Sequence, residues 1–170
     1  DFQIEGMSIG DSALDFFTKN DIKKTKTFMY NSKKYYSFTS QKYKSKNYEA
    51  VQIHIKKNDK RYKIASIEGL RIFNDDIIGC NKLKDQIFNE IISLFPKANV
   101  KNKNGSHDYD KSGESKYYKK TITINKTKYP GITIICNDWS KKLQSKFNDM
   151  LSVIITDDTF EDFMFYEAYK

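Results

Sequence analysis

The sequence predicts an α+β domain in which an antiparallel sheet carries helices packed on one face. Three observations carry that expectation. Val51, Ile53 and Ile55 alternate with Gln52, His54 and Lys56, the period-two pattern of a half-buried strand. Leu83, Ile87, Ile91, Leu94 and Phe95 recur at helical spacing until Pro96 stops the run. The elements then fall in the order helix, three strands, helix, three strands, which allows two αβββ halves without a residue-level repeat, and one antiparallel sheet would bury every apolar stripe.

Taken in order, Phe2, Ile4, Met7 and Ile9 read as a short opening strand, and Gly10-Asp11-Ser12 as a turn capping a helix over residues 12–24. Ala13, Leu14, Phe16, Phe17 and Ile22 give that helix its apolar face. Strands follow at residues 35–39, 48–56 and 61–73. Asn58-Asp59 makes a hairpin of the last two, and Gly69 marks a bulge or bend. The helix over residues 81–95 comes next. Residues 98–115, polar and glycine-bearing, read as a mobile loop. Strands return at residues 117–124, 132–137 and 150–156, with a turn at Tyr129-Pro130-Gly131, and Asp158 and Glu161 have capping-box spacing for a last helix over residues 157–169.

At 170 residues the chain is expected to form one domain, 1–170, hiding roughly 70% of its unfolded surface. No apolar run approaches the roughly 20 residues of a transmembrane helix. The start at Asp1-Phe2-Gln3-Ile4, with core-like residues at once and no Met, suggests that an upstream segment is removed, a cleaved secretory signal being the expected kind. The net charge of +8 is uneven: lysines crowd residues 19–63, while Asp157, Asp158, Glu161, Asp162 and Glu167 gather at the C-terminus. Such a dipole steers acidic partners toward the N-terminal half. Arg61 and Arg71 are the only arginines, however, and abundant Lys, Asn, Ile, Tyr and Phe also reflect AT-rich coding.

Cys80 precedes the long helix and Cys136 shares a strand face with Ile132 and Ile134, so both thiols belong at a helix–sheet boundary, as one disulfide in an oxidising compartment or as two buried thiols otherwise. A nucleophilic cysteine needs a partner base, and neither His54, read as a solvated strand residue, nor His107, in the polar loop, stands in a catalytic motif. No zinc spacing, phosphate loop, G-x-S-x-G elbow or H-E-x-x-H helix is present, so no cofactor is expected. Asp108, Asp110 and Ser112, before Gly113, match the first half of a calcium loop, but Lys119 stands where the bidentate Glu belongs. Lysines interleave with aromatics from Lys26 to Tyr48, and Lys33, Lys34, Tyr35, Lys42, Tyr43 and Lys44 form the candidate binding surface. Tyr36 and Phe38 alternate as core residues do, which argues against nucleic acid.

The opening from Phe2 to Leu14, the run from Tyr62-Lys63-Ile64 to Cys80, and Ile135-Cys136-Asn137-Asp138-Trp139-Ser140 resemble a group of small uncharacterised exported proteins of AT-rich marine alphaproteobacteria, SAR11-like. The resemblance covers most of the chain. It implies a mature periplasmic or secreted domain with two matching cysteines, and it brings no catalytic residues. The strand, turn and helix opening is also similar, more loosely, to small envelope lipoproteins of the BamE-like kind, although the lipobox cysteine is missing. The expected function is therefore a non-enzymatic exported domain that binds a protein or an envelope component. The alternatives are a hydrolase using the carboxylates of residues 98–115, and nucleic-acid binding through lysine and tyrosine.

Overall fold

The computed structural model describes residues 2–124, 128, 129 and 131–170. Seven strands form one antiparallel sheet: β1 (Tyr35–Ser40), β2 (Ala50–Lys56), β3 (Ile64–Ile72), β4 (Asn99–Ser106), β5 (Lys116–Thr123), β6 (Ile132–Asp138) and β7 (Met150–Thr156). Their order across the sheet is β1-β2-β3-β7-β6-β5-β4. The helices are α1 (Lys19–Lys24), α2 (Ile77–Leu94) and α3 (Asp158–Tyr166), so the α+β antiparallel class is as the sequence predicts. The chain divides into two compact units. The first takes the chain up to Gly69 together with Ile154–Lys170, and the second is Leu70–Val153.

In the first unit the predicted opening strand is instead a tight turn. Ile4 and Met7 bond only each other, at 3.1 and 3.0 Å, around Glu5 and Gly6 with φ of 51° and 79°. The single helix expected over residues 12–24 is also divided. Ser12 caps a 3₁₀ turn, Ala13–Asp15, by accepting from the Leu14 amide. Thr18 then opens α1 with a reciprocal capping box to Asp21, and that local pair outcompetes continuation of the first turn.

β1 and β2 pair with Tyr36 opposite Ile55 and Ser37 opposite His54. Tyr36, Phe38, Ile53 and Ile55 therefore share one face, where Phe17 meets Phe38 edge-on at 5.1 Å. Tyr35 and His54 lie on the other, where Phe160 of α3 stands 5.1 and 4.9 Å from their rings. The sheet of this unit is thus covered on both faces, whereas the sequence pattern puts the helices on one. Asn58 takes the left-handed conformation, φ 67°, between β2 and β3. Gly69 does not interrupt β3; the Tyr48 ring lies where its Cβ would be, at 2.7 Å, so the residue is small to admit an aromatic. Asp157, not Asp158, caps α3 through the Phe160 amide at 2.6 Å, and Glu161 instead accepts from Thr156 Oγ1.

In the second unit α2 starts a turn earlier than its apolar stripe, capped by Asp76 at the Gly79 amide, and ends at Leu94 before Pro96. The Cys80–Cys136 disulfide ties its first turn to β6. Residues 98–115 are not one loop: Asn99–Ser106 is strand β4, paired residue for residue with β5. The second half of the chain therefore holds four strands where three are predicted. β4 is a sheet-edge strand, so it needs no alternating apolar face, and its lysines and asparagines suit an edge exposed to water. β5 and β6 pair antiparallel, Tyr118 opposite Cys136. The turn predicted at Tyr129-Pro130-Gly131 includes Pro130, which lies outside the described residues.

Candidate functional site

The Tyr35–Lys56 register brings the first residues of β1 beside the last of β2, and the Lys57 amide donates to the Lys34 carbonyl at 2.7 Å. Two lysine pairs far apart in sequence, Lys33 with Lys34 and Lys56 with Lys57, thus line one cleft of about 410 Å³, bounded on its far side by Thr159, Phe163 and Glu167 of the C-terminal segment. Lys34 is ion-paired with Glu167, the only carboxylate of that lining. Tyr35 forms the floor; burial, then Asp157 and Glu167, push its phenol up to about 12, so it carries no charge at pH 7.

Of the predicted binding surface, the fold brings Lys33, Lys34 and Tyr35 to this cleft and leaves Lys42, Tyr43 and Lys44 out of it. Lys42 Nζ and the Tyr43 hydroxyl both donate to the Phe16 carbonyl, at 2.7 and 2.9 Å, and Tyr43 packs edge-on against Phe17. Lys56 and Lys57 are the members the candidate surface lacks. Hairpin register is the signal that finds them, since pairing the ends of the strands at 35–39 and 48–56 juxtaposes both lysine pairs. Most of the interleaved aromatics are not stacking platforms, since Tyr30, Tyr35, Tyr36, Phe38 and Tyr48 are buried, whereas Phe28 is exposed and Tyr43 half-buried.

On the other flank of α3 lies a second concavity of about 390 Å³, also wholly within the first unit. Its apolar wall is Ile154, Phe160, Met164 and Phe165, and Tyr30, His54 and Ser66 are its inner polar residues. His54 is 5% exposed, so it is not the solvated residue its strand parity suggests; α3 covers that face as well. The Tyr30 hydroxyl and His54 Nε2 lie 3.1 Å apart, and Nδ1 is buried without a hydrogen-bond partner. Burial pushes the imidazole down to about 4 and the Tyr30 phenol up. Both are neutral at pH 7.

The second unit gathers its polar chemistry around Asp149, which is 3% exposed. Its Oδ1 accepts from the Trp139 amide at 2.6 Å, and its Oδ2 accepts from the Asp75 amide at 3.0 Å and Gln144 Nε2 at 2.8 Å. Trp139 is stacked between His107 and Phe147, with centroids 4.1 and 4.3 Å away. Burial, then Asp149 and Asp75, raise the Asp138 carboxyl. Asp149 was invisible in the sequence because its donors come from two separate connections, Asp75 before α2 and Trp139 and Gln144 between β6 and β7.

The calcium-loop residues serve the loop itself. Asp110 accepts from the amides and hydroxyls of Ser112 and Ser115, at 2.5–3.0 Å, and those bonds hold its carboxyl well below the usual carboxylate range. Ser112 Oγ therefore spends its proton on Asp110. Among the described residues no group of three or more His, Cys, Asp or Glu side chains is placed to hold a metal ion. The lowered pKa of Asp110 keeps it ionised, which is opposite to what a general acid requires.

Cys80 and Cys136 are bonded, with Cα atoms 6.1 Å apart, and no cysteine is free. No helix among the described residues is long and apolar enough to cross a membrane. In comparisons with known proteins, no protein-family model matches the chain, and no match was found among curated proteins or solved structures.

Proposed function

We propose that this chain is a non-enzymatic binding module that works outside the cytoplasm and takes an acidic polypeptide segment into its lysine cleft. The observation that carries the reading is the convergence of Lys33, Lys34, Lys56 and Lys57 on one concavity with a single carboxylate among them. Four ammonium groups around a cleft concentrate positive potential and speed capture of an acidic partner. A polypeptide suits the cleft better than a nucleic acid. No arginine lines it, and its one tyrosine is buried floor, so neither phosphate forks nor base-stacking faces are offered. Export is supported by the disulfide, which persists in oxidising compartments, and by the resemblance to exported bacterial proteins.

The test is fluorescence anisotropy with a labelled hexaglutamate peptide, a labelled single-stranded oligothymidine and vesicles containing phosphatidylglycerol. Saturable peptide binding that weakens with salt, and that Lys33→Gln and Lys57→Gln each reduce, is the expected result. Tighter binding of the oligonucleotide would replace the polypeptide with nucleic acid. Preference for the vesicles would make the partner an anionic envelope lipid.

A further inference from the structure

We infer that the open face of the second unit's sheet, where Lys101 and Lys103 of β4 meet Lys119 of β5, is a binding surface for an acidic polysaccharide. The antiparallel registers fix its composition. Lys101 lies opposite Thr121, Lys103 opposite Lys119 and Gly105 opposite Tyr117, and β6 sets Thr133 against Thr121 and Asn137 against Tyr117. Directly opposed residues share a face. α2 covers the other one: its Cys80 is bonded to Cys136, and its Lys84 and Phe88 lie against Tyr118 and Lys120. Ile122, Ile132 and Ile134 are buried there, whereas Thr121, Thr133 and Ile135 on the open side are only half-buried.

The charge pattern separates the two faces. Beneath α2, Lys84 and Lys120 share the Asp85 carboxylate, at 4.0 and 3.3 Å. On the open face, Lys103 and Lys119 stand directly opposite each other, a like-charge pair that costs a sheet stability. Among the described residues no carboxylate is ion-paired with either of them or with Lys101. The acids Asp108, Asp110 and Glu114 lie in the connection between β4 and β5, beyond the paired residues. Lysines discourage further pairing at a sheet edge, which accounts for Lys101 and Lys103. That reason does not reach Lys119, which stands on an interior strand. A polyanion laid across β4 and β5 neutralises the opposed pair.

The neutral groups of the face select a polysaccharide among polyanions. Thr121, Thr123, Thr133 and Asn137 set hydroxyls and an amide beside the lysines, donors and acceptors suited to sugar hydroxyls. Tyr117 reaches over Gly105, where a Cβ would meet its phenol oxygen at 2.8 Å, and the Lys119 ammonium is 5.8 Å from its ring centre. A tyrosine so placed can pack against the C–H face of a sugar ring. A nucleic acid is served best by arginine forks and several stacking rings, and these three strands carry no arginine and little aromatic surface beyond Tyr117. None of the large apolar residues that are exposed stands on these strands, so the face has nothing to insert into a membrane. From Asn99 to Gly105 the patch is about 20 Å long and its three strands about 10 Å across, which suits an extended chain.

The test is titration of ¹⁵N-labelled protein with octagalacturonate and with its methyl ester, which keeps the sugar chain and removes the charge. Octagalacturonate is expected to give saturable shifts in β4, β5 and β6 that weaken as salt is raised, and the ester none. Lys103→Gln and Lys119→Gln should each weaken binding several-fold. Lys103→Glu sets a carboxylate opposite Lys119, so it should abolish binding while the melting temperature holds or rises, which separates loss of the surface from loss of the fold. Lys57→Gln, in the lysine cleft of the first unit, should leave these shifts unchanged, so the cleft and the sheet face are read independently. An ester that binds as tightly as the acid, or an acid indifferent to all three sheet substitutions, would overturn the role of charge. Shifts confined to the lysine cleft, or no saturable shifts, would overturn the surface. Tighter binding at this face by oligothymidylate, oligoglutamate or phosphatidylglycerol vesicles would overturn the polysaccharide and name its replacement.

Discussion

The Tyr30 hydroxyl lies 3.1 Å from His54 Nε2 in the aromatic cluster beneath α3, and the other imidazole nitrogen has no hydrogen-bond partner. Burial of an imidazole held this way favours its neutral form. The folded value of about 4 lies below the ordinary 6.5, so the unfolded chain binds more protons between those values. Stability from this group is complete above pH 6.5 and is lost as pH falls from 6.5 through 4. The shift corresponds to about 3 kcal/mol. Urea denaturation across pH 7 to 4 should show that loss, and His54→Gln, which keeps a hydrogen-bonding group without a titrating one, should flatten it.

His107 stacks on Trp139, the only tryptophan, with planes 13° apart, and burial lowers its pKa despite bonds that favour the proton. Acidification should therefore change Trp139 fluorescence with a midpoint below the usual histidine value. His107→Phe keeps the stack and should abolish the titration. A midpoint that persists in that variant would assign the change to another group.

The disulfide closes a sequence separation of 56 residues in the second unit. Chain entropy alone gives such a cross-link about 4 kcal/mol. The double variant Cys80→Ala, Cys136→Ala should lose stability of that order in denaturant melts. Intact mass of protein purified without reductant should be two hydrogen atoms lighter than after reduction, and two free thiols there would count against an oxidising compartment.

Lys84 is buried on α2, its Nζ donating to Asn81 Oδ1 at 2.6 Å and standing 5.7 Å from the Tyr118 ring centre, and desolvation lowers its pKa. Replacing a buried charge by an apolar side chain of similar length is often neutral or stabilising. Lys84→Met should change stability by no more than about 1 kcal/mol, in either direction. Lys84→Ala should cost more, since it also deletes the packed stem.

How far the sequence could be read follows from how local each signal was. The stripe of Ile87 and Ile91 and the alternation of Val51, Ile53 and Ile55 needed no partner to be recognised, and those elements are where they were expected. His54 was assigned to the correct strand face but to the wrong environment, because strand parity cannot report that a distant helix, α3, covers the second face. β4 escaped because Lys101, Asn102, Lys103 and Asn104 have neither alternation nor β-propensity; pairing with β5 makes it a strand. The same nonlocality hid Lys56 and Lys57 from the binding surface until register joined them to Lys33 and Lys34.

Asp149 is the clearest case of a side chain whose role is purely nonlocal. Its carboxylate accepts from the turn after β3, from the residue after β6 and from Gln144, and its own carbonyl accepts from the Phe73 amide at 2.8 Å. Asp149→Asn keeps the volume but replaces one acceptor oxygen with a donor, which must face either the Trp139 amide or the Asp75 and Gln144 donors. A buried donor would then lose its partner, at a cost of about 1–3 kcal/mol, with the charge-assisted part of the remaining bonds lost as well. The expected signature is a stability loss of about 3 kcal/mol together with a red shift of Trp139 emission as its segment loosens. Asp75→Asn is the control. Asp75 contributes a backbone amide to Asp149, while its exposed carboxylate accepts from Gln144 and pairs with Lys141, so its variant should cost less than about 1 kcal/mol and leave the emission unchanged. Equal losses in the two variants would mean that the acidic surroundings, rather than the three-way bonding of Asp149, hold these turns together.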